Sequence, residues 1–284
     1  MSFNFKPSIT PKKTFIIKAD GRRVLFNENK ILSTCRRAGA NKKTAQQILK
    51  NVRSQVYQGI HTKDIYKLVL QAISKQVGKT GLHHRYQLKD AIMNMGPTGF
   101  PFENYVGKIL SHYGFEIVGL RNKVRGKCAV HEIDLIGKFE QKKFMIECKH
   151  SSVRGSFIGL KVALYTHARF LDTLPSFEGE AIVCNAKVSQ SAKQYSKCIG
   201  QKILSWRYPP EKSLEKIIDD HKLYPITVLN LSSKELEKFS LHNIMLLQDL
   251  LTIKESILVK QTGLSYRRIH TLSKLAEKII NDFT

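Results

Sequence analysis

Residues 131–149 read HEIDLIGKFEQKKFMIECK, and the folding of this stretch decides the reading of the whole chain. Two short apolar runs flank a polar turn, which predicts a β-hairpin with a loose connection. Alternate side chains of a strand share a face. Glu132 and Asp134 then point one way, with Ile133 and Leu135 opposite. On the second run Glu147 and Lys149 share a face, with Ile146 and Cys148 behind. Folding the runs together brings carboxylates and one amine to a strand end. Carboxylates hold a hard divalent cation through oxygen. Such a cation polarises a phosphate and helps ionise a water, which an amine can orient.

Working outward, residues 99–110 (GFPFENYVGKIL) carry an amphipathic helical pattern with Glu103 near its start. Residues 181–206 (AIVCNAKVSQSAKQYSKCIGQKILSW) read as strand, loop, helix, strand. An aspartate, twelve residues, then Glu147-Cys148-Lys149, set in this order of elements, resembles the PD-(D/E)xK nucleases. The resemblance is nearest to Mrr-like type IV restriction endonucleases. It implies a restriction-endonuclease-like α/β core with a central mixed sheet. It also implies a site in which Glu103, Asp134 and Glu147 hold Mg²⁺ or Mn²⁺ and Lys149 orients the attacking water. The proline of the family name is replaced by Ile133. Gln194, on the later helix, matches a place where the family sets polar residues near the scissile phosphate. Solvated surface is the competing account of each of these charged side chains.

The formal charge of +24, from 47 Lys and Arg against 23 Asp and Glu, favours a polyanionic partner, most simply DNA or RNA. No segment has the length of a transmembrane helix, and no secretory signal is seen after the basic N-terminus. No membrane partner is expected. The five cysteines show no paired spacing, which fits reduced thiols in the cytoplasm. A zinc site from Cys128, His131, Cys148 and His150 is a further candidate.

Residues 1–13 read as a loose basic tail. In residues 14–26 (TFIIKADGRRVLF), Asp20-Gly21 between apolar runs marks a hairpin. Helical patterns follow over 29–38 and 42–57, and from Thr62, read as an N-cap. Together these segments resemble an ATP-cone, a regulatory nucleotide-binding domain. The resembling residues are Ile17 to Gly21, Phe26 to Ile31 and Tyr57 to Ile65. The resemblance implies ATP or dATP as ligand, with Lys18 and Lys30 meeting the triphosphate and Asn27 and Thr62 as polar contacts. Ammonium groups and a helix N-terminus suit phosphate oxygens. Ala19 stands where the family usually has a second basic residue, with Arg22 and Arg23 nearby in another register. A cone kept for packing or dimerisation is the alternative.

The stretch 93–101, MNMGPTGFP, reads as a linker. On the basic helix expected over 159–171, Lys161, His167 and Arg169 are candidates for backbone contacts. Near the C-terminus, two helical patterns around Thr262-Gly263-Leu264-Ser265 resemble a helix-hairpin-helix. That implies DNA contacts from Gly263, Lys260, Arg267 and Arg268, a protein-binding bundle being the alternative. The expected fold class is thus α/β (α+β) in three parts: 1–95 ATP-cone, 96–222 nuclease-like core and 223–284 helical domain. The expected function is a metal-dependent DNA endonuclease regulated by adenine nucleotide, with a role in defence against foreign DNA implied by resemblance. One site per chain and two strands to cut favour a homodimer. The alternatives are a non-catalytic, nucleotide-responsive DNA-binding regulator and a branched-DNA resolvase.

Overall fold

The computed structural model describes residues 14–75, 80–96 and 98–281. The tail at 1–13 lies outside them. The chain divides into two compact units, Met1–Tyr86 and Gln87–Thr284.

In the first unit, β1 (Phe15–Ile17) and β2 (Arg23–Leu25) form the hairpin expected from Asp20-Gly21. Gly21 has φ 79, a conformation that costs glycine little. Next come α1 (Glu28–Arg37), α2 (Lys42–Arg53), β3 (Ile60–His61) and α3 (Thr62–Ser74). The N-cap of α3 is His61, so Thr62 is its first helical residue and not its cap. β3 runs parallel to β1, pairing Ile17 with His61. Ile16, Ile31, Cys35, Ile48, Val52, Ile60, Val69 and Ile73 form the core between this sheet and the helices. α4 (Thr80–Met93) begins in this unit, where Leu82 joins the same core, and ends in the second.

The second unit starts at Gln87, ahead of the stretch read as a linker. Met95 is fully buried beside Ile92 in its core, so the stretch is packed and not free at that point; Pro97 lies outside the described residues. α5 (Phe100–His112) leads to β4 (Glu116–Arg125), β5 (Val130–Phe139) and β6 (Lys142–Lys149). Then come β7 (Phe157–Ile158), α6 (Leu160–Asp172), β8 (Gly179–Cys184), β9 (Lys187–Val188), α7 (Gln190–Ile199) and β10 (Lys202–Ser205). The main sheet has the order β10-β8-β6-β5-β4. β4, β5 and β6 are antiparallel, while β6, β8 and β10 are parallel, giving the mixed sheet expected.

The β5–β6 connection is tight, not loose. Phe139 pairs with Lys142, and the two residues between them, Glu140 and Gln141, both have positive φ. That is the two-residue turn whose twist matches a hairpin. Neither residue is Gly or Asn, so its composition hides it.

The C-terminal helices are α8 (Leu214–Asp220), α9 (Ser233–Leu241), α10 (Leu247–Thr252), α11 (Glu255–Thr262) and α12 (Tyr266–Asn281). They do not form a third body. Leu236, Phe239, Leu250, Leu258, Ile269 and Leu272 share one core with Phe102, Tyr105 and Val106 of α5 and with Leu135 and Ile146 of the sheet. Asn104 of α5 donates to the Ser240 carbonyl at 2.7 Å, and Tyr105 to that of Leu223 at 2.8 Å. The expected division at 222/223 is therefore filled by continuous packing.

Candidate functional site

The site forms where β5 and β6 stop pairing. Their ladder ends at Leu135↔Ile146, and beyond it the Cys148 N–H donates to Asp134 Oδ2 at 2.7 Å. A side chain thus replaces the next ladder bond and fixes the carboxylate between the strands. On the other side, β4 pairs Leu120 with Leu135 and Asn122 with Ile133, which sets Arg121 opposite Asp134. Arg121 has φ 52, a left-handed conformation that a side chain makes costly.

The strand alternation breaks at this point. Ile133 packs with Ile136, Met145 and Phe177, whereas Leu135 packs with Ile146 and Cys148 on the α5 side. The expectation that Ile133 and Leu135 share a face is thereby corrected. The break falls at Asp134, opposite the left-handed Arg121.

Glu103 lies in the first turn of α5. Its Oε2 accepts from Arg121 Nη1 at 2.9 Å, and the same guanidinium lies over the Phe100 ring, 3.3 Å from its centroid. Glu147 is 2 % exposed. Its Oε1 is 2.5 Å from Lys149 Nζ, and its Oε2 accepts from Arg169 Nη1 at 2.5 Å. Burial, then the charges of Glu147 and Glu103, push the Asp134 carboxyl up to about 6, against the pull of Cys148 N–H and Lys149. The four residues singled out in the sequence, Glu103, Asp134, Glu147 and Lys149, thus lie within electrostatic reach of one another.

Their grouping differs from the expected metal centre in one respect. Among the described residues, no three His, Cys, Asp or Glu side chains are grouped as ligands of one ion. Arginines hold two of the acids instead. Arg169 is one of the candidates for DNA-backbone contact on the basic helix. It is 8 % exposed and turns inward to Glu147, the Glu132 carbonyl and the Tyr165 hydroxyl. Neither arginine was paired with an acid in the sequence. Arg121 lies eighteen residues from Glu103, and Arg169 twenty-two from Glu147. No local pattern links residues so far apart.

The other expectations divide. His167 bonds Glu180 at 2.5 Å rather than facing outward, and Gln194 is exposed on α7. The zinc set does not gather. His131 and the Cys128 backbone go to Asp172, Cys148 is buried, and His150 bonds the Ile92 carbonyl. All five cysteines are unbridged. At the C-terminal hairpin, Gly263 caps α11 at φ 60, and its N–H donates to the Val259 carbonyl at 2.8 Å. That amide is already bonded within the chain, which corrects its assignment to a phosphate. Arg268 is likewise held by Glu235 at 2.6 Å, while Lys260 and Arg267 are exposed.

In the first unit, the parallel register brings Lys18, just after β1, to the same sheet end as Thr62. Asn27 is the N-cap residue of α1, its side chain making no capping bond, and Lys30 lies in the first helical turn. Arg22 is bound to Asp20 at 2.6 Å, and Arg23 lies over the Phe15 ring.

A nucleotide cone followed by a mixed-sheet α/β body sealed by helices is the class that these features define. Residues 14–88 match the ATP cone domain, and residues 224–280 match the domain described as AF1548-like, C-terminal. An "Uncharacterized protein" of Archaeoglobus fulgidus (strain ATCC 49558 / DSM 4304 / JCM 9628 / NBRC 100126 / VC-16) is 32% identical over 176 residues, covering 62% of this chain and 99% of that protein. The solved structure titled "Crystal Structure of Protein of Unknown Function AF1548" is 31% identical with TM-score 0.61, covering 65% of this chain and 99% of that one. The chain belongs to the AF1548-like family and carries an ATP cone at its N-terminus. A remote match, to Can2 from Sulfobacillus thermosulfidooxidans in complex with cyclic tetra-adenylate, has TM-score 0.29 at 12% identity. It covers 62% of this chain and 50% of that one. Among the described residues no helix is long and apolar enough to cross a membrane.

Proposed function

We propose that this protein is a metal-dependent DNA endonuclease whose ATP cone binds ATP or dATP and regulates it. The observation that carries the reading is the gathering of Glu103, Asp134, Glu147 and Lys149 around the strand break. The donor set suits a hard divalent cation. Carboxylates that press one another's charge, as Glu147 and Glu103 do on Asp134, are what such an ion relieves. Glu103, Asp134 and Glu147 would hold Mg²⁺ or Mn²⁺, which supplies charge for the phosphate and acidity for water. Lys149, fixed by Glu147, orients the nucleophile. With one such site per chain, cutting both strands calls for a homodimer.

The test is supercoiled plasmid incubated with the purified full chain. Nicking that needs Mg²⁺ and stops with chelator is the expected result. No nicking with ATP, with dATP or with neither removes the enzyme reading. The second reading is a non-catalytic, nucleotide-responsive DNA-binding regulator. It is favoured by the arginines that already neutralise Glu103 and Glu147. It expects plasmid to be bound and left intact.

The cone makes a separate expectation. ATP should raise the melting temperature of the chain, since a ligand of the folded state stabilises it by mass action. Lys18→Ala and Lys30→Ala should each weaken ATP binding roughly tenfold, because each removes one charge-assisted bond to phosphate. Calorimetric titration reads both. Wild-type affinity in both variants would place the triphosphate elsewhere.

A further inference from the structure

β6, β8 and β10 end level with one another, Lys149 pairing with Cys184 and Cys184 with Ser205. Beyond these ends runs a rim that the carboxylate site does not use. The loops after β6 and β8 are locked by Ser151 and Asn185, which exchange two hydrogen bonds of 2.8 Å. From these loops, from the chain after β10 and from α4 come Arg154, Lys187, Arg207 and Lys89.

Two of the four have carboxylate partners: Arg154 pairs with Asp90, and Arg207 with Glu215 at 3.1 Å. Lys89 and Lys187 make no ion pair among the described residues. Each rests on an aromatic ring instead, Lys89 5.5 Å from the Trp206 centroid and Lys187 5.1 Å from that of Phe157. Burial, then Arg207, lowers the pKa of Lys89; Glu215 opposes this, and Lys187 and Arg154 add to the lowering. Beside Lys89, Trp206 is 3 % exposed, and its indole N–H is buried with no hydrogen-bond partner. A buried donor without an acceptor is costly and rare. Cations crowded this closely at the ends of three strands call for an anion from outside the chain.

We propose that Lys89, Arg154, Lys187 and Arg207, gathered about Trp206, form a phosphate-binding rim that grips the backbone of a nucleic-acid strand. The strand source is preferred over a free anion because the rim continues from the end of β6, where Lys149 stands, and because the whole chain carries +24. The proposal deepens the DNA reading above and needs no cleavage step.

Trp206 is the single tryptophan of the chain, so its emission reports on this rim alone. The experiment titrates a fluorescein-labelled duplex into the full chain, with chelator present, across a salt series. Wild type is compared with Lys187→Ala/Arg207→Ala. Both side chains are exposed, and a melting curve shows that the variant folds. The double variant should bind about tenfold more weakly at roughly 0.1 M salt. Its log–log salt slope should fall by about two, one for each phosphate that the variant no longer neutralises. Duplex should shift the Trp206 emission of wild type and not that of the variant. Unchanged affinity and slope in the folded variant overturn the proposal. So does an emission change caused by inorganic phosphate but not by duplex. Nicking in Mg²⁺ is scored in parallel. Binding that fails in the variant while wild type never nicks leaves the rim standing and removes the nuclease. Nicking by wild type with an unchanged slope in the variant does the reverse.

Discussion

Asp134→Asn is expected to lower plasmid nicking by on the order of 10³-fold and, at the same time, to raise the melting temperature of the chain. Both effects come from one carboxylate. In the folded chain the Asp134 carboxyl is pushed from 3.8 up to about 6, first by burial and then by Glu147. Between those values the folded state holds a proton that the unfolded state has released. Stability therefore falls as pH rises through this window and levels off above about 6. Asparagine removes the charge and keeps an oxygen for the Cys148 N–H. The variant should gain up to about 3 kcal/mol at pH 8, several degrees in a chain of this size, and almost nothing at pH 4. Thermal melts at pH 4, 6 and 8 read this directly. Wild-type nicking should climb as pH passes about 6, because the ionised form is the useful one. A variant that still nicks, with the same melting temperature at every pH, would remove Asp134 from the site and the charge argument with it.

The strain that Asp134 and Arg121 hold also bears on how much of the site could be read from the chain alone. Periodicity placed the elements, an amphipathic helix around Glu103 and apolar runs at Asp134 and Glu147, and the resemblance carried by their order picked out the acids. The arginines escaped because their partners are distant in sequence, and a basic residue on an amphipathic helix looks solvated. Arg121 escaped for a second reason. Its left-handed backbone breaks the alternation at Asp134, and period-two reasoning assumes that no such break occurs. The family matches at 14–88 and 224–280 fall within the first and last of the three expected parts, while burial packs the last two parts into one unit. Glycine and proline in 93–101 resemble a linker, yet Met95 is fully enclosed, and the C-terminal helices cover α5 rather than one another alone. Composition reports where a chain can bend. It does not report what then packs over the bend.

Arg169→Ala is expected to destabilise the chain by about 3–5 kcal/mol, because it leaves the buried Glu147 carboxylate with one cation in place of two. The loss is electrostatic first. Glu147→Gln in the same chain should therefore restore much of it, an interaction energy that a double-mutant cycle in urea measures. The same variant also bears on what the acids are for. In wild type, Arg169 holds one oxygen of Glu147 and Lys149 the other, so the charge of both cations competes with a divalent ion. If the acids serve only to anchor arginines, Mg²⁺ should stabilise wild type and Arg169→Ala equally little. If they are ligands, the ion can take the vacated charge, and Mg²⁺ should raise the melting temperature of Arg169→Ala by several degrees more than that of wild type, in proportion to log concentration. Asp134→Asn added to Arg169→Ala should cancel that gain. A Mg²⁺ response that ignores both substitutions would put the ion elsewhere and leave Glu147 as the buried anchor of two cations.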